Sequence, residues 1–155
     1  MKRTLVLLAC IVLLGSTIAF PVEAAETDGG IRDQIIISQT VEDLGNGCFY
    51  IETISVPSIQ LYSSTRTGTK SSVYVVSGTS IFSISVTGTF IFDGSTAEAT
   101  SASGSVVTYV EGVTINSRSA YTSGASAYAT TSVTYNGATL QKTVKLTCDK
   151  DGNLS

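Results

Sequence analysis

Ile81-Phe82-Ser83-Ile84-Ser85-Val86-Thr87-Gly88-Thr89-Phe90-Ile91-Phe92 is the stretch on which the fold turns. Its apolar residues recur at alternate positions. Phe82, Ile84, Val86, Phe90 and Phe92 fall on one face, with Gly88 among them. Ile81, Ser83, Ser85, Thr87, Thr89 and Ile91 fall on the other. Side chains alternate across a strand with a period of two, so this is a strand with one buried and one wet face. Gly88 marks a bulge or a close neighbour, because it presents no Cβ.

Strands of the same kind are expected on either side. Residues 35–43 and 48–56 flank Gly45-Asn46-Gly47, a hairpin turn signal. Residues 70–76 precede Ser77-Gly78, and Asp93-Gly94 closes the central strand. Weaker strands are expected at 96–102 and 105–111, and another at 113–122 after Gly112. Residues 125–135 and 138–148 are joined by Asn136-Gly137, which tolerates φ > 0 at both turn positions. Residues 57–68 read as the longest stretch without structure. Seven to nine short strands predict an all-β fold, an antiparallel β-sandwich of immunoglobulin-like kind, with a small β-barrel as the alternative. The forty-one Ser and Thr residues from Ala25 onward do not signal disorder, since the apolar residues between them keep strand periodicity.

The amino terminus reads as an export signal. Lys2 and Arg3 precede an apolar run over residues 5–14, and Val22-Glu23-Ala24 has the small-x-small form of a cleavage site. Residues 1–24 are therefore expected to be a signal peptide, cut after Ala24, with an uncleaved anchor as the alternative. Residues 25–33 then form a flexible arm, and 34–155 a single sandwich domain. The expected location is secreted, extracellular or cell-surface. Membrane contact is expected only through the signal segment before cleavage.

Composition excludes several functions. From Ala25 onward there are seven basic and eleven acidic side chains, a net charge of −4, with no Lys/Arg cluster. Nucleic acid is therefore not an expected partner, because phosphate neutralisation dominates that affinity. The chain contains no histidine. That removes Ser-His-acid and Cys-His catalysis and the usual zinc sites. No phosphate-cradling loop or other cofactor motif occurs, so no cofactor or metal is expected. Glu52, Asp93, Glu98 and Glu111 are the candidate carboxylates for an unrecognised glycosidase, but nothing in their spacing sets two across a cleft. Asp149-Lys150-Asp151-Gly152-Asn153 faintly has the form of a calcium loop, yet turn chemistry explains it. Tyr50, Tyr62, Tyr74, Tyr109, Tyr121, Tyr128 and Tyr135 could stack sugars or anchor a protein, or could simply fill half-buried strand positions.

Two cysteines follow the signal segment, Cys48 and Cys148. An even count in an exported chain predicts one disulfide between them.

Lys142-Thr143-Val144-Lys145-Leu146-Thr147-Cys148 with Gly152-Asn153-Leu154-Ser155 resembles the ending of a group of small secreted proteins of Gram-positive, clostridia-like Firmicutes. Val86-Thr87-Gly88-Thr89-Phe90 with Asp93-Gly94-Ser95-Thr96 resembles their central segment, and Phe49-Tyr50-Ile51-Glu52-Thr53-Ile54 their first strand. The likeness runs from about Ser38 onward. It implies a secreted β-protein and carries no established activity. The chain departs from that group at Ala99, where relatives tend to have cysteine, and near Val113, where they tend to have tryptophan. The expected function is non-enzymatic: an extracellular binding module for a protein or glycan at a cell surface or in a host. A toxin-like or pore-forming β-protein is the alternative, since Ser/Thr alternation also suits inserting hairpins.

Overall fold

The computed structural model describes residues 34–58 and 64–155. The signal segment and the arm expected at 25–33 lie outside the described residues. Eight strands follow one another: β1 (Gln34–Gly45), β2 (Cys48–Pro57), β3 (Thr65–Val76), β4 (Thr79–Phe92), β5 (Ala97–Thr108), β6 (Thr114–Ser123), β7 (Ser126–Tyr135) and β8 (Ala138–Thr147). They form an antiparallel sandwich. The larger sheet has the order β1-β2-β3-β4-β5, and the smaller β6-β7-β8.

Each strand pairs with its neighbour in sequence, so both sheets are meanders. This differs from the immunoglobulin connectivity expected above, in which Greek-key crossovers interleave the strands of two sheets. The reason lies in the turns, four of which have only two residues. Asn46 and Gly47 have φ of 54° and 73°, and Asn136 and Gly137 have 49° and 76°. Two-residue turns of this hand match the twist of the strands they join and return the chain beside itself.

β4 is the keystone expected of it. Ile84, Val86 and Phe90 are buried and pack on Ala127, Ala129, Val144 and Leu146 of the smaller sheet. A second cluster, Tyr50, Tyr74, Ile81, Phe82 and Val133, fills the other end. The outward faces are hydroxyl ladders. Thr69 Oγ1 lies 2.8 Å from Thr87 Oγ1, and Ser119 Oγ 2.7 Å from Thr130 Oγ1. This explains the Ser/Thr content: one hydroxyl stands beside another across strands, where such pairs stabilise a wet face.

Two expectations change. Residues 97–108 form one continuous strand rather than two. Strand β3 begins at Thr65, inside the stretch that reads as loop. The three strands of the smaller sheet pack on β3, β4 and β5. Strand β1 is left as an overhang, exposed along its whole length.

Candidate functional site

Where β5 and β6 meet, the two sheets part into an open groove of about 320 Å³. Ile84, Val106, Ala120 and Ala129 line it with inward side chains, Arg118 stands beside them, and Ser105, Ser119 and Thr130 border it with their hydroxyls on the outer faces. Gly104 holds the sheets close beneath it. A Cβ at that position would lie 3.2 Å from those of both Ala120 and Ala129. Small residues on facing strands thus keep the groove shallow. The volume is at the low end for ligand sites, about 300–1,000 Å³.

Arg118 is the charge in this groove. It stands opposite Thr131 on the edge strand β6 and is exposed. Among the described residues no carboxylate lies within ion-pair distance of it, whereas Lys70, Lys142 and Lys150 each have one. An unpaired guanidinium offers five donors in a planar fork suited to a carboxylate. The sequence carries no motif for Arg118; only its place on an open edge singles it out.

A second polar cluster lies under the overhang. Lys142 Nζ is 3.0 Å from Glu42 and 3.1 Å from Glu52, and 4.0 Å from the centre of the Tyr50 ring. Lys70 reaches Glu52 at 3.6 Å. The charges here satisfy one another, and the lysine caps the aromatic cluster from the edge of β8. This cluster ties β1 and β2 to the smaller sheet.

The candidate carboxylates occupy separate places. Glu52 belongs to the cluster just described. Asp93 accepts bonds from the Ser95 and Thr96 amides, which hold its carboxyl below the ordinary carboxylate range. Glu98 stands opposite Ile91 on the outer face, and Glu111 lies in the turn before β6. Asp149 likewise closes a turn. It accepts bonds from the amides of Asp151 and Asn153 and from the Asn153 side chain, and these bonds lower its pKa.

The tyrosines do not form one platform. Tyr50, Tyr74 and Phe82 make a buried chain of tilted rings, centroids 5.1 and 5.5 Å apart. Tyr121 and Tyr128 stack at 4.9 Å on the outer face of the smaller sheet, and Tyr109 bonds Ser83 on the outer face of the larger. Tyr62 lies outside the described residues.

The expected disulfide is not formed: both thiols are free. Cys48 opens β2 opposite Val76. Cys148 follows β8, bridges Leu154 and feels the charge of Arg66 at the far end of β3. Roughly ten residues of strand separate the two ends, about 30 Å at the usual rise. A disulfide needs Cα atoms within about 4.4–6.8 Å. Each cysteine does sit at a strand end, but the ends are opposite ones. Cys148 is fully buried, and burial, then Asp149, pushes its thiol pKa up.

No family model, curated protein or solved structure matches this chain.

Proposed function

We propose that this chain is an extracellular binding module whose β5–β6 groove takes an acidic sugar residue of a cell-surface or host glycan. The observation that carries the reading is Arg118, an exposed cation with no carboxylate partner among the described residues, beside a groove with an apolar lining. A sugar acid is matched part by part. Its carboxylate suits the guanidinium, and its C–H face suits the half-buried Val106 and Ala120. The export signal and the likeness to secreted Gram-positive proteins give the setting in which such a glycan is met. The pore-forming alternative fits the described strands less well, because β2 to β8 turn most apolar side chains inward and hydroxyls outward, the reverse of a lipid-facing barrel.

The test is calorimetric titration with a uronic-acid oligosaccharide and with its neutral counterpart. The acidic ligand should bind and the neutral one should not. Arg118→Gln should weaken binding at least tenfold, roughly 1.4 kcal/mol. Equal binding of both ligands, or an unaffected Arg118→Gln variant, would reject this reading.

A further inference from the structure

We infer that β1 is a dimerisation edge, where a second copy of this chain pairs antiparallel through Gln34–Gly45 and joins the two larger sheets into one. Four observations support this, and none depends on the groove. First, among the described residues β1 is bonded on one side only, to β2. A strand edge with free N–H and C=O groups is a template for another strand. Second, apolar side chains concentrate there. Ile35, Ile36, Ile37, Val41 and Leu44 are five of the ten exposed large hydrophobics among the described residues, and Ile36 and Val41 are 62% and 65% exposed. Third, the usual blunting residues are missing. No Lys, Arg or Pro occurs in β1. Its register shifts fall near its two ends, after Ile36 and after Asp43, and leave the stretch between them regular.

The fourth observation is charge, and it selects the occupant and its direction. Residues 34–41 are uncharged, and Glu42 and Asp43 follow. Antiparallel pairing with a second copy sets these acids opposite uncharged residues. Parallel pairing in register would set each beside its own kind, which is unfavourable. An antiparallel pair of identical strands also closes on a two-fold axis, so assembly stops at two. One paired strand with its apolar side chains buries roughly 1,000 Å², the lower bound for a specific interface, so the dimer should dissociate on dilution. Strand β5 and the groove lie at the opposite edge of the sheet from β1. The dimer therefore carries two outward grooves, and a repetitive ligand would gain avidity.

The test is sedimentation of the protein as its expressing cell processes it, over a wide range of concentration. The expected mass is twice that of the chain at high concentration, falling to that of the chain on dilution. Val41→Lys and Ile36→Lys, both at well-exposed positions, should each remain monomeric with unchanged circular dichroism and melting. Hydrogen exchange on the unaltered protein gives a check that needs no variant. Successive β1 amides should be protected at high concentration and only alternate ones at low concentration. A monomer at every concentration, a dimer that survives both lysines, or β1 exchange that ignores concentration would overturn the inference. A different strand found on β1 while the unaltered protein stays monomeric would also overturn it.

Discussion

Gly88 of β4 and Ala127 of β7 face each other so closely that a Cβ at position 88 would lie 2.8 Å from that of Ala127. It would also lie 2.7 Å from the tip of the Phe90 ring, which rests across the glycine. The backbone of β4 therefore packs directly against the Ala127 methyl and the Phe90 ring at this point. Gly88→Ala should destabilise the fold by about 1–3 kcal/mol, the usual range for overpacking a filled core. Gly104→Ala, with its nearest contacts at 3.2 Å, should cost less. Urea denaturation of the two variants measures the difference, and a neutral Gly88→Ala would mean that the sheets are further apart than described.

Phe90 and Thr89 test the faces of the same strand. The Phe90 side chain is fully buried, whereas Thr89 bonds Thr67 on the outer face at 3.2 Å. Phe90→Ala should cost about 3–5 kcal/mol. Thr89→Ala should cost well under half of that, since it removes one exposed hydroxyl pair. Equal costs would show that the register of β4 is misassigned.

The two thiols should behave independently. Cys48 is partly exposed and should react with a thiol reagent in the folded protein, while Cys148, at 1% exposure, should react only on unfolding. A reducing agent should leave the melting temperature unchanged. Mass spectrometry that finds an intramolecular bridge, or a large drop in melting temperature on reduction, would contradict the strand order.

Alkaline pH should loosen the end of the sandwich where Tyr74 lies. Burial, and next the neighbouring Cys48 thiol, push its pKa from 10.0 to about 12. A folded-state pKa above the unfolded value means that the folded protein holds this proton more tightly. Its contribution is therefore complete below about pH 10 and is lost as the pH rises from there through about 12. Tyr50 shifts in the same direction, mainly through burial and then through Glu42. Melting temperature measured across this window should fall more steeply for the unaltered protein than for Tyr74→Phe, which has no proton to lose. Parallel curves would remove Tyr74 from the account.

Much of this fold is legible in the sequence, because a half-buried strand writes its two faces as alternating letters. The central strand from Phe82 onward, the two Asn-Gly turns and the inward Val144 and Leu146 of β8 follow from that rule, whereas Ile81, expected on the wet face, is buried beside a register shift. The departures each have a cause. Ser103-Gly104-Ser105 reads as a break, but Gly104 is there for close approach of the sheets and not for a turn. The strand expected at 35–43 is present, but its isoleucines stand out in solvent. They are exposed because the smaller sheet is too narrow to cover them, and sheet width is not a local property. The cysteine pairing fails for a related reason: counting finds two partners but not which end of the sandwich each occupies. Cys148 instead shares its cluster with Ala99. Arg118 has no sequence signal, since its interest comes from what does not face it.

The central claim, that the β5–β6 groove with Arg118 is the ligand site, is tested most directly by amide chemical-shift mapping during titration with a uronic-acid oligosaccharide. The account predicts saturable shifts confined to residues around the groove, with Gly104, Ser105, Arg118, Ser119 and Ala120 foremost. The cluster of Glu42, Glu52 and Lys142 should stay still. Shifts centred on that cluster or on the Tyr121–Tyr128 stack, or no saturable shift anywhere, would contradict it.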